Sequence, residues 1–145
     1  MNLHPLGPTL GRCAHLAKAR LEARLTQYDI TPVQTHVLLY LFRSGGQASQ
    51  SAVTAFLKVK PSTANGVLDR MNEKGLITRS ISPEDARQKL ITLTSQGMDQ
   101  HARLRQDFDD FEASLVRGLS DREQTQFRSL LGRIIENLEE EEDRP

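Results

Sequence analysis

Apolar residues recur at helical spacing through much of this chain, and the most informative case is "PSTANGVLDRMNEKGLITR", residues 61–79. Ala64, Val67, Leu68 and Met71 fall at i, i+3, i+4 and i+7, a single stripe on a helix, and are expected to face inward. The same stretch holds Asn65-Gly66, the dipeptide most expected in a tight hairpin turn. Four apolar positions in register outweigh one turn dipeptide. The segment is therefore read as a helix that carries a glycine on its outer face and stops at Gly75. That outer face needs a purpose.

Upstream, Leu10, Ala14, Ala17, Leu21 and Leu25 recur at three and four residues, with Arg12, Lys18, Arg20, Glu22 and Arg24 between them. This spacing predicts an amphipathic helix over Thr9 to Leu25. Thr31 before Pro32 fits an N-cap with proline at the first helical position, opening a second helix that Gly45-Gly46 ends. A short third helix is expected from Ser49. Beyond Gly75, residues 76–81 and 89–93 carry β-branched and apolar side chains around the polar loop "SPEDARQ", which predicts a β-hairpin. "LTSQG" starts a fifth helix whose apolar face is read as Met98, Ala102, Phe108, Phe111 and Leu115. Ser120 and Glu123 have capping-box spacing for a sixth, with the stripe Phe127, Leu130, Leu131, Ile134, Ile135 and Leu138. The fold class is thus mainly α with a small β-hairpin wing: six helices, the wing between the fourth and fifth. The order of residues 31–94 is that of a winged helix-turn-helix. Residues 1–30 and 95–145 supply wide apolar faces that need a surface to cover them, and a two-fold partner would provide it, so these are read as a helical dimerisation region.

Composition changes this picture little. At 145 residues, with 37% hydrophobic and 26% charged, the chain can bury a modest core. No stretch approaches the roughly 20 apolar residues of a membrane span. "MNLHPLGPTL" has no apolar signal core, so no membrane partner and a cytoplasmic address are expected. Formal net charge is zero, which at first argues against nucleic acid. Distribution reverses that argument. Between residues 58 and 89, Lys58, Lys60, Arg70, Lys74, Arg79, Arg87 and Lys89 stand against Asp69, Glu73, Glu84 and Asp85, while the offsetting acids gather in "EEEEDRP", expected to be a frayed, solvated tail.

The residues now carry a resemblance. "KPSTANGVLDRMNEKGLITR" followed by "SPEDARQKLITLTSQG" resembles the recognition helix and wing of the MarR family of bacterial transcription regulators. "ITPVQTHVLLYL" is similar to that family's second helix and "GLSDREQTQFRSLLGRI" to its closing one. The wing is the most specific part: Asp85-x-Arg87, then Leu93-Thr94 and Gly97. The resemblance implies a homodimer on double-stranded, pseudo-palindromic DNA, usually a repressor, with a small-molecule effector as a further partner. Position by position it implies DNA contacts at Ser62, Thr63, Asn65, Gly66 and Arg70, and a minor-groove arginine at Arg87. Asp85 is expected to hold the wing rather than touch phosphate. Within the motif Lys58, Lys60, Arg79 and Lys89 are candidate phosphate contacts. The chain departs from many relatives at Lys60, where they carry a short polar cap, and at Gly66, where they carry a long side chain. A glycine there would let backbone approach the DNA, and Asn65 would reach adenine N6 and N7.

Other constellations add less. Cys13 invites a thiol-sensor reading, because some family members use a first-helix cysteine. It stands too close to the "ITPVQ" landmark, neither Tyr28 nor Tyr40 matches the required tyrosine spacing, and a thiol packed as a small hydrophobe is expected instead. His4, His15, His36 and His101 do not cluster at zinc-ligand spacing, since Arg105 stands four residues after His101, so no metal and no cofactor are expected. His15, His36 and Tyr40 are candidates for the edge of an effector pocket. No nucleophile elbow, phosphate loop or carboxylate pair points to an enzyme. The reading is a DNA-binding regulator. Two alternatives stay open: a protein-interaction module on the same fold, and a Cys13 redox sensor.

Overall fold

The computed structural model describes residues 4–144. They form two compact units, one extending to Asp109 and the other beginning at Asp110, with the division falling inside a helix.

In the first unit, helix α1 covers Leu6–Leu25 and begins before the expected Thr9. Pro8 is accommodated because it lies in the first turn, where backbone N–H groups have no helical partner to lose. A 3-10 turn, Thr26–Tyr28, leads to α2, Pro32–Arg43. Thr31 Oγ1 accepts from Gln34 N at 3.2 Å and Gln34 Oε1 accepts from Thr31 N at 3.3 Å, a complete capping box. Gly45 and Gly46, at φ 77° and 94°, turn the chain out of α2, and Gly46 N donates to the Leu41 carbonyl at 2.8 Å. The chain then forms β1, Gln47–Ser49, and α3, Gln50–Leu57, capped by Ser49 Oγ on Ala52 N. Helix α4 spans Pro61–Glu73, and the wing strands are β2, Ile77–Ile81, and β3, Lys89–Leu93.

The sheet has three strands, in the order β1-β3-β2, all antiparallel. The sequence reading expected only the last two. Three residues are too few to display alternation, so β1 is recruited by its partner: Ala48 faces Ile91, and Gln47 Nε2 donates to Thr92 Oγ1 at 2.8 Å.

Val37, Leu38, Leu41, Val53, Leu68, Met71, Leu76, Ile77, Ile91, Leu93 and Leu104 make one buried cluster. The expected inward stripe of α4 contributes Ala64, Leu68 and Met71 fully buried, with Val67 packed at the margin. Gln34, a buried polar residue, is satisfied by the capping box and by Lys74 Nζ at 3.0 Å.

Helix α5, Ser95–Leu115, presents two different faces. Met98, Ala102 and Phe108 are exposed, while Gly97, His101 and Leu104 face inward. The reason is Gly97: a Cβ there would collide with the Leu76 carbonyl oxygen, so its absence lets this side of the helix close on the chain.

In the second unit, α6 covers Asp121–Glu142, with Ser120 Oγ accepting from Glu123 N at 3.1 Å. The acidic tail is therefore helical through Glu142 rather than frayed, with the acids simply continuing the exposed face. Phe127, Leu130, Ile135 and Leu138 of the apolar stripe are all at least half exposed. Among the described residues no helix is long and apolar enough to cross a membrane.

Candidate nucleic-acid interface

The turn between α3 and α4 is Lys58-Val59-Lys60. Lys58 adopts a left-handed conformation, φ 54°, and its N–H closes on the Ala55 carbonyl at 3.2 Å. Pro61 then sets the first turn of α4. No side chain caps this helix, whereas Thr31, Ser49 and Ser120 cap α2, α3 and α6. Its early backbone N–H groups are left to an external acceptor, and two lysines flank them.

The helix is continuous through Asn65-Gly66, and Gly66 has ordinary negative φ. A Cβ built at Gly66 would meet nothing within 4 Å. Ser62, Thr63, Asn65, Asp69 and Arg70 are exposed along the same helix, so the outer face of α4 is uncovered among the described residues.

Beyond α4, the wing is braced by its own polar groups. Ser82 N donates to the Gln88 carbonyl at 2.9 Å and Gln88 N to the Asp85 carbonyl at 3.0 Å. Asp85 Oδ1 accepts from Arg87 N at 3.0 Å and from Arg87 Nε at 3.4 Å. Asp85 thus shapes the loop that presents Arg87, whose side chain is 93% exposed.

Between α3 and the wing lies an open cleft of about 550 Å³ lined by Gln50, Ser51, Thr54, Lys58, Arg87 and Lys89 among others. Three of these are cations and no carboxylate lines it, so the cleft is a place of positive potential that favours an anion. Lys60 is exposed nearby in sequence.

Two cations of the basic window are spent internally. Lys74 Nζ donates to the Asp29 carbonyl at 2.6 Å as well as to Gln34. Arg79 folds back from β2 onto α4, pairing with Asp69 and donating from Nη1 to Asn65 Oδ1 at 2.9 Å, and its side chain is only 15% exposed. Spacing could not have revealed this, because β2 and α4 meet only in the folded chain. Gln50 was also missed: it sits on α3, yet its Nε2 reaches Asn65 Oδ1 at 3.4 Å.

The remaining candidates do not line this cleft. His15 and His36 are exposed, and Tyr40 stacks on Phe56 with ring centroids 4.5 Å apart. Cys13 is exposed rather than packed as a small hydrophobe, because it lies on a face of α1 that none of the described residues covers. Among the described residues no group of three His, Cys, Asp or Glu could hold a metal ion.

Residues 30–89, the stretch that carries this geometry, match the sequence model of the MarR family. Over this stretch the chain is similar to the MarR family. Solved structures agree along almost the whole length. MepR of Staphylococcus aureus, a transcription regulator of the multidrug efflux pump MepA, is 28% identical. A MepR variant bound to an oligodeoxyribonucleotide aligns at TM-score 0.75 over 93% of this chain and 99% of that one. MepR bound to ethidium bromide aligns at 0.77 over 95% and 99%. Apo wild-type MarR from E. coli, 25% identical, aligns at 0.69 over 92% and 98%. The three-stranded winged helix is thus the fold of MarR-family transcription regulators.

Proposed function

We propose that this protein is a transcription regulator that binds double-stranded DNA as a homodimer, most simply as a repressor acting in the cytoplasm on a pseudo-palindromic operator. The observation that carries the reading is the uncovered outer face of α4 beside a cationic cleft and an exposed wing arginine. An α-helix fits the major groove, and two related by a two-fold axis reach successive grooves about 10 bp apart. Arg87 at the wing would enter the flanking minor groove, where negative potential is concentrated. The uncapped start of α4, with Lys58 and Lys60, suits a phosphate. MepR's complex with an oligodeoxyribonucleotide supports the same use of the fold.

Dimerisation is argued from the apolar faces. Leu6 and Leu16 on α1, and Phe127, Leu130, Ile135 and Leu138 on α6, are exposed in a single chain. Burying them recovers about 25 cal/mol per Å² of apolar surface, enough to make a second copy the natural cover. Residues 1–30 and 95–145 then form the dimerisation region, and residues 31–94 each DNA-binding lobe. MepR binds a small molecule, ethidium bromide, and a small-molecule effector of this protein would act by favouring dimers whose lobes no longer match the DNA repeat. His15, His36 and Tyr40 are the side chains proposed to border its site.

The test is equilibrium binding to duplexes recovered from the source genome, at several salt concentrations. The expected result is affinity that falls linearly in log–log form with salt, with Arg87→Ala weakening binding and lowering the slope by about one. Absent or salt-insensitive binding would instead point to a protein partner.

A further inference from the structure

Asn65 sits where side chains from three elements converge, and their chemistry dictates which way its carboxamide points. Arg79 of β2 has only donors and places Nη1 2.9 Å from Asn65 Oδ1, so the atom facing it has to be the carbonyl oxygen. Gln50 of α3 donates a second, longer bond to the same oxygen at 3.4 Å. On the other side the Asp69 carboxylate, which only accepts, faces Asn65 Nδ2 at 3.5 Å and is itself paired with Arg79. Both acceptor positions of the Asn65 oxygen are therefore occupied from within the fold, while its exposed amide retains N–H capacity.

A carboxamide reads adenine by accepting from N6 and donating to N7 together. The clamped Asn65 has lost the accepting half. The major-groove edge of guanine offers N7 and O6, two acceptors and no donor. We propose that Arg79 is a positioning residue which fixes Asn65 as a donor-only reader, so that the base facing Asn65 in the operator is guanine rather than adenine. This rests on the DNA-binding reading above. It also gives Arg79 a role its low exposure permits, in place of a phosphate contact.

The experiment is selection of bound duplexes from a random library by the full-length wild type, Asn65→Ala and Arg79→Met, each first confirmed as folded by circular dichroism and melting. The expected result is one position per half-site that is guanine for the wild type, loses its preference in Asn65→Ala and turns toward adenine in Arg79→Met. In competition between the two duplexes the wild type should favour guanine by at least about fivefold. Any other base at that position in the wild type, or guanine retained in Arg79→Met, overturns the assignment while leaving DNA binding intact. If Arg79→Met does not fold, Asn65→Ala decides: an unchanged consensus overturns the proposal and a lost guanine sustains it. No enrichment by the wild type would remove the DNA-binding reading and this assignment with it.

Discussion

The Tyr28 hydroxyl donates its proton to the Asp107 carboxylate across 79 positions of sequence, tying the turn after α1 to α5. Gln27 Nε2 donates to the same carboxylate at 2.9 Å, and Gln100 Nε2 donates to the Tyr28 carbonyl at 3.0 Å, so the turn is held at several points. Burial first, then the hydrogen bond and charge of Asp107, raise the Tyr28 pKa from 10.0 to about 12, against an opposing contribution from Arg103. Tyr28→Phe is expected to cost about 1 kcal/mol, the ordinary net worth of a hydrogen bond and below that of one to a charged group, because Asp107 keeps Gln27. The sign of the pH effect follows from the raised pKa. The stabilisation is complete below the ordinary tyrosine range and is lost as pH climbs through about 12. Chemical denaturation of wild type and Tyr28→Phe across that range should converge at the alkaline end.

His101 gives the opposite, acidic dependence. Its ring is buried on the inner side of α5 and stacks on Phe42 with centroids 4.0 Å apart. Burial, then the positive charges of Arg105 on α5 and Arg43 on α2, lower its pKa from 6.5. The folded state therefore favours neutral His101, so its contribution is present above that ordinary value and declines as pH falls below it. Thermal melts from about pH 7 towards about pH 5 should show the wild type losing stability more steeply than His101→Leu, which has nothing there to protonate. Parallel curves would mean that the ring is hydrated or free to leave its stack.

What was legible in the sequence is what short-range spacing encodes. The α4 stripe could be read because Ala64, Val67, Leu68 and Met71 repeat within two turns, and the cap at Thr31 because its partner Gln34 is three residues away. Strand β1 could not, because its only signal is a partner some forty residues on. The inward face of α5 carried no signal, because Gly97 and His101 are less apolar than the exposed Met98, Ala102 and Phe108. Backbone approach at Gly97, rather than side-chain hydrophobicity, orients the helix. For the candidate site, residue identity located the cations but not their use. Arg87 and Arg79 look alike in sequence, yet one is exposed at the wing tip and the other is neutralised against Asp69.

Gly97→Ala should therefore be disruptive even though alanine is the better helix former. The added methyl would overlap the Leu76 carbonyl oxygen and crowd a Leu93 methyl at 3.2 Å, and backbone cannot rotate away as a side chain could. Overpacking of this kind costs about 1–3 kcal/mol, and a backbone obstacle places it at the upper end, beyond the roughly 1 kcal/mol gained in helix propensity. Urea denaturation is the measurement: the midpoint should fall with little change in slope.

The same substitution at Gly66 should act in the reverse sense on stability. Nothing lies within 4 Å of the built Cβ, so Gly66→Ala removes backbone freedom from the middle of α4 without a clash. Stability is expected to rise by about 1 kcal/mol, the ordinary Gly-to-Ala gain in a helix interior. A protein that forgoes this gain where an added methyl would meet nothing needs a reason outside its own fold. Close approach of a duplex to the α4 backbone supplies one, because a methyl group there would hold the helix off the base edges. Gly66→Ala should then melt higher and yet bind operator DNA more weakly, on the order of tenfold at fixed salt, the size of one lost base contact. A variant that gains stability and binds as well as the wild type would show that the glycine is merely tolerated, and that the DNA is read by the side chains around it.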